Sequence, residues 1–232
     1  MRLLALDSAT DWCSAAVWSD GTTLSRESPA ERGHGGQLLA MVDELLAEAG
    51  CALNALDAIA FGCGPGAFTG LRIAASVTQG LAFAADLPTI AVSDLRALAQ
   101  RGIASAGAAD RVLVCHDARM GEVYWAGFAA VDGHARAATA EAVARPQDMI
   151  AAARAWLDAS PAGGVGSGFA AYPALAAFAV QLTPLWPDAR PRAQEVAALA
   201  AYDGMGSALP AERALPVYVR NNVAVAAADR SE

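Results

Sequence analysis

Lysine is absent from this chain of 232 residues, and all 16 basic residues are arginine. Against 24 acidic residues they leave a net charge of −8 and an isoelectric point near 4.8. An acidic chain with no basic cluster is poorly suited to gripping phosphate backbones. That excludes an autonomous nucleic-acid binder, though not a role in a nucleic-acid pathway. Without lysine there is also no Gly-Lys-Ser/Thr phosphate loop. Long apolar runs are missing. Asp7 interrupts the opening stretch Met1–Leu6, which is too short for the core of an export signal. The longest uncharged stretch near the middle, Ile73–Ala85, is too short to span a bilayer. The expectation is a cytoplasmic protein with no membrane contact. Cys13, Cys51, Cys63 and Cys115 show no Cys-x-x-Cys spacing and read as reduced thiols. His34, His116 and His134 lie far apart and form no metal-ligand pattern, so no metal is expected. Charged residues amount to only 17% beside 55% hydrophobic, with mean hydropathy +0.32, which excludes disorder. Alanine supplies roughly a quarter of the chain.

What is present is punctuated clearly. Leu3–Asp7 reads as a buried strand ending in an acid. Cys13–Ser19 and Thr22–Glu27 flank Asp20-Gly21, a strong hairpin signal. Gly36–Ala49 has helical periodicity with Gly50 as its cap. Ala58–Gly62 is a strand, Thr69–Ala85 a helix with Thr69 as N-cap, Thr89–Val92 a strand, and Ser93 caps a helix to about Arg101. The small, glycine-bearing stretch Gly102–Asp110 reads as a linker. The order then restarts: Arg111–Asp117 is a strand ending in an acid, Asp132-Gly133 joins a second hairpin, and Pro146 starts a helix to Leu157. Gly163–Gly168 reads as a loop, with helices near Ala174–Val180 and Ala193–Ala201. The expectation is an α/β protein built from a duplicated β-β-β-α unit, with lobes at 1–102 and 110–232. Each sheet should be covered by its own helices, and the cleft between the lobes is a natural ligand site.

Three stretches are candidates for phosphate chemistry. Asp7-Ser8-Ala9-Thr10 follows a buried strand, and an acid there can hold a metal–phosphate; equally it can form an Asx or Ser turn. Ala9 stands where a phosphate loop would place glycine. Gly166 and Gly168 could likewise approach a nucleotide or serve a flexible loop. The stretch Gly64-Pro65-Gly66-Ala67-Phe68-Thr69-Gly70-Leu71-Arg72 is the most distinctive. It can cradle an anion at a helix N-terminus or act as a rigid turn. Asp117, Arg119, Glu122 and Tyr124 combine charge and aromatics, read either as an acid–base network or as an Arg–carboxylate pair between lobes. No Ser-His-Asp order stands out, and no catalytic residue is assigned.

The two long helices carry more apolar surface than one sheet can bury. The first shows Leu38, Leu39, Met41, Val42, Leu45 and Leu46, wider than a single stripe. The second has Arg72 as its one charge. It repeats small residues at Ser76, Gly80 and Ala84, with Ile73 and Val77 beside them and Gly70 and Ala74 as a second small pair. These residues point to a partner interface.

Taken together, LLALDSAT, GPGAFTGLRIA, DARMGEVYWA and PVYVRNNVA resemble the bacterial TsaB (YeaZ) family, from Leu3 to about Ala224. The resemblance implies the actin-like/Hsp70-like ATPase fold, of ribonuclease H-like type. It implies a non-catalytic subunit for N6-threonylcarbamoyladenosine formation in tRNAs reading codons that begin with adenine. Its implied partners are a TsaD-type transferase subunit, met through the N-terminal helices, and a TsaE-type ATPase. A homodimer would use the same helices, and tRNA would be met only indirectly. The cofactor left to consider is an adenine nucleotide, weakly held at a vestigial site or at a complex interface. A small-molecule kinase-like ATPase and a metallopeptidase-like protein are the alternatives; on the first long helix, only His34 matches the histidine pair expected of a metal-binding relative.

Overall fold

The computed structural model describes residues 1–30, 34–105 and 109–220. The middle of the expected linker, the end of the PVYVRNNVA stretch and the side chain of His34 lie outside the described residues. Strands β1 (Arg2–Asp7), β2 (Trp12–Ser19) and β3 (Thr22–Pro29) come first, followed by α1 (His34–Glu48), β4 (Ala58–Gly62), α2 (Phe68–Ala85), β5 (Thr89–Val92) and α3 (Asp94–Ala104). Then come β6 (Arg111–Arg119), β7 (Glu122–Val131), β8 (His134–Ala137), β9 (Ala142–Ala144) and α4 (Pro146–Leu157). The chain continues through β10 (Gly163–Val165), α5 (Gly168–Ala171), α6 (Pro173–Ala179), β11 (Leu185–Trp186) and α7 (Ala193–Asp203).

The duplication is visible in the strand order. The first sheet runs β3-β2-β1-β4-β5, with the first three strands antiparallel and the last two parallel to β1. The second runs β8-β7-β6-β10-β11 with the same directions, and β9 pairs with β7. Both hairpins turn on Asp-Gly with positive φ at both residues: 47° and 91° at Asp20-Gly21, 51° and 76° at Asp132-Gly133. That is the turn whose twist matches paired strands.

Four expectations are corrected. Thr69 is not the N-cap of α2: Ala67 takes that place, with no side-chain cap, and Thr69 lies inside the first turn. Gly163–Val165 is not loop but the buried strand β10. Three residues with two glycines carry too little side chain to show a strand pattern, and only the parallel pairing to β6 reveals it. The sheets are covered only in part by their own helices: α1 and α2 pack on the first and α4 and α5 on the second, but two helices change places. The helix α3 packs on β6 and β8 of the second sheet, and α7 packs on β1, β2 and β4 of the first. Leu95, Leu98, Val196 and Leu199 therefore join both sheets in one core.

The fourth correction concerns α1. Leu38, Met41, Val42, Leu45 and Leu46 are buried against Leu4, Leu6, Val17 and Ile59. Their width reflects a helix wedged between sheet and neighbouring helix, not an outward partner surface. Cys13, Cys63 and Cys115 are buried free thiols and Cys51 is half-buried. No helix among the described residues is long and apolar enough to cross a membrane.

Candidate functional site

The end of β1 and the start of α2 are locked together by backbone. The Ala67 N–H donates to the Ala9 carbonyl at 2.7 Å, and the Ser8 hydroxyl donates to the Gly70 carbonyl at 2.8 Å. A methyl at Gly66 would lie 2.6 Å from the Ala9 oxygen, and one at Gly70 would lie 1.8 Å from the Ser8 oxygen. The two glycines thus let α2 approach the β1–β2 loop more closely than any side chain permits. Gly64 has φ +114°, open to glycine, and faces the Val217 carbonyl. This motif is a close-packed joint. Its loop N–H at Ala67, which would have faced an anion, is spent on Ala9.

Asp7 is buried, 1% exposed. Its Oδ2 has no hydrogen-bond donor among the described residues, and its Oδ1 accepts the Ala9 N–H at 3.4 Å. Burial pushes its carboxyl above the ordinary range. Thr10 turns its hydroxyl to the Trp12 N–H at 3.2 Å. Gly166 and Gly168 pack against Cys115, where added methyls would fall 2.5 Å from its carbonyl oxygen and 2.6 Å from its sulfur. These positions do not fit the metal–phosphate that the fold implies: the acid is buried and the space at the glycines is taken by Cys115.

A cleft of about 570 Å³ does open between the lobes. Thr10, Trp12, Gly66 and Ala67 line one side, and His116, Asp117, Ser167 and Arg190 the other. The Ser167 hydroxyl meets His116 Nδ1 at 3.1 Å and accepts the Asp117 N–H at 3.2 Å. Desolvation lowers the His116 pKa to about 4, so the ring is neutral at physiological pH and its tautomer sets which of the two groups donates. This pairing bridges 51 residues, and sequence spacing gave no sign of it. Asp117 accepts the Tyr172 hydroxyl at 2.8 Å and pairs with Arg119 at 3.3 Å. Glu122 pairs instead with Arg220, so the Arg–carboxylate pair reaches the PVYVR stretch.

That stretch crosses between the lobes. The Val217 N–H donates to the Cys63 carbonyl at 2.7 Å. The Tyr218 hydroxyl accepts from Arg72 Nε at 3.0 Å, and its ring lies 5.5 Å from Phe68. Arg72 in turn stacks 3.9 Å over Phe68. On the other side Arg220 donates to Glu122 and to the Ala118 carbonyl. It also has Tyr124 6.0 Å from its guanidinium. Pro65 and Gly66 line a smaller pocket under this crossing. Gly64, Pro65, Gly66, Arg119, Glu122 and Tyr124 therefore meet the stretch at one seam, with Arg72 and Tyr218 paired beside it; Gly70 and Asp117 pack elsewhere, and Thr69 is exposed on α2.

Of the expected interface residues, α2 keeps Ser76, Gly80 and Ala84 exposed and Ile73 and Val77 half-buried. Leu39 of α1 is 44% exposed. Phe83, which the small-residue pattern passed over, is 85% exposed on the same face. Nothing lies within 4 Å of a methyl built at Gly80. Sequence reasoning also missed Asp94. One residue after an N-cap it looks like any acid in a first helical turn, yet it is buried and accepts the Gly64 N–H. Among the described residues no group of three or more His, Cys, Asp or Glu is placed to hold a metal.

Comparison with known proteins covers this whole architecture. Residues 27–226 match the family model described as TsaD, tRNA N6-adenosine threonylcarbamoyltransferase. The tRNA threonylcarbamoyladenosine biosynthesis protein TsaB of Escherichia coli is 39% identical over 97% of this chain and 96% of its own. Its namesake in Haemophilus influenzae is 47% identical over 54% of this chain and 52% of its own. The solved YeaZ of Pseudomonas aeruginosa superposes with a TM-score of 0.82 at 44% identity, covering 94% of this chain and 99% of that one. A likeness this complete, over 97% of the chain in sequence and 94% of it in structure, means that the chain belongs to the TsaB (YeaZ) family.

Proposed function

We propose that the chain is a non-catalytic subunit in N6-threonylcarbamoyladenosine formation on tRNAs reading codons that begin with adenine. In this reading it pairs with and activates a TsaD-type transferase, together with a TsaE-type ATPase. The observation that carries it is the outward face of α2: Phe83 is exposed beside Ser76, Gly80 and Ala84, and Leu39 of α1 is exposed as well. Small residues flanking a large apolar one let another helix approach closely and bury area in the approach. The same face would serve a homodimer. The net charge of −8 agrees with a subunit that leaves tRNA to its partner. The names of the relatives place them in this pathway.

Co-purification with a TsaD-type protein, followed by tRNA modification with and without this chain, tests the reading. Modification should require the chain, and the pure chain should transfer no threonylcarbamoyl group and cleave no peptide. Turnover by the pure chain that is abolished by one of its own substitutions would overturn it.

A further inference from the structure

The Asp7 and Asp94 carboxyl groups meet beneath Gly62. A methyl built at Gly62 would lie 2.3 Å from Asp7 Oδ2 and 2.4 Å from Asp94 Oδ1. Each of these oxygens is buried and lacks a donor among the described residues, and each side chain is within hydrogen-bonding contact of the other. Both residues are 1% exposed. Two bare acceptors facing each other out of water are unstable unless something positive lies between them.

Among the described residues, no cation acts on the pair. The charged groups acting on the pair are Glu195 of α7, toward Asp7, and Glu141, from the segment before β9, toward Asp94. Glu195 is already paired with Arg192, and Glu141 accepts the Ser93 hydroxyl. The Cys63 thiol beside Asp94 and the Cys13 thiol near Asp7 are both pushed up by burial and stay neutral. Two ionised carboxylates here would be like charges with no compensation.

We propose that Asp7 and Asp94 share one proton, and that this carboxylic acid–carboxylate hydrogen bond latches the β4–α2 loop to the end of β1. Asp94 is the donor: desolvation and the adjoining Asp7 both favour its protonated form. Its other oxygen accepts the Gly64 N–H, and its own N–H donates to the Gly64 carbonyl at 2.9 Å. Asp7 keeps its Oδ1 on Ala9. The shared proton therefore fixes both loops of the glycine joint. It also keeps the β1 acid buried and off the lining of the cleft. The latch stands on the geometry of a single chain, independent of the partner reading.

Infrared spectroscopy of the intact protein at neutral pH tests this. The wild type should show the carbonyl stretch of a protonated carboxylic acid, and both Asp94→Asn and Asp7→Asn should lose it. Either amide can supply the missing N–H donor, so both variants should remain folded; if one does not fold, the other still reports. Unfolding titrations against pH add a second reading. The unfolded acid ionises near about 4 while the folded one keeps its proton, so the wild type should lose stability relative to Asp94→Asn as pH rises. The loss approaches about tenfold in the folding constant per pH unit. No protonated-acid band in folded wild type, parallel pH curves for the two proteins, or a melting temperature lowered by a chelator, as for a bound cation, would each overturn the proposal.

Discussion

The hydroxyl of Ser8 donates to the carbonyl of Gly70 across 2.8 Å, although 62 residues separate them. The contact exists because Gly70 has no side chain to keep α2 off the β1–β2 loop.

Gly70→Ala should therefore be severe. Its methyl would lie 1.8 Å from the Ser8 carbonyl oxygen, a backbone atom that cannot swing aside. A cost of about 3 kcal/mol or more is expected. Gly80→Ala, on the same helix with nothing within 4 Å, should instead gain about 0.5–1 kcal/mol. Urea unfolding of the two variants gives the comparison, and equal stabilities would refute the joint.

Core and surface positions of the two helices should separate cleanly. Leu45→Glu places a charge in the core against the first sheet and should unfold the chain, at a cost of several kcal/mol. Phe83→Glu and Gly80→Leu should leave the melt near wild type. They should weaken association with the transferase subunit by at least about a hundredfold, roughly 2.7 kcal/mol. A binding titration run beside a thermal melt checks this, and normal affinity in both surface variants would place the interface elsewhere.

Arg220→Ala should loosen the seam between the lobes. It strips the partner from Glu122 and a donor from the Ala118 carbonyl. A loss of about 1–3 kcal/mol is expected. Glu122→Gln, which keeps an acceptor for Arg220, should cost less. The two melting curves decide the order.

His116 should make the protein acid-sensitive. Its folded pKa of about 4 lies below the ordinary imidazole value of 6.5, so the unfolded chain takes up a proton that the folded chain refuses. Stability from the neutral ring is present above pH 6.5 and is lost as pH falls toward about 4. His116→Gln should flatten this part of the pH–stability curve. An unchanged slope between those limits would show that the ring titrates normally.

Much of the architecture is readable in the chain itself. The Asp-Gly pairs fix two hairpins because only residues tolerant of positive φ fit that turn. Pro146 and Ser93 mark helix starts by missing or satisfying a backbone N–H. Repetition of strand, hairpin and helix announces the duplication. The glycines of the GPGAFTG stretch are visible as an oddity, but their reason is not. A glycine that admits a loop, an anion or a neighbouring helix is spelled the same way, and only the Ser8 and Ala9 carbonyls decide among the three. The α1 leucines mislead for a related reason: apolar width counts the residues that want burial, not what buries them.

What local sequence determines here is what depends on near neighbours: turn type, helix caps, the alternation that makes strands, and the absence of lysine or paired histidines. Tertiary structure alone decides the contacts between distant segments. It exchanges α3 and α7 between the sheets, brings Ser167 to His116 and Arg220 to Glu122, and buries Asp7 against Asp94. Burial, desolvation and proton affinity are properties of such meetings, because the cost of removing a charge from water depends on every element packed around it.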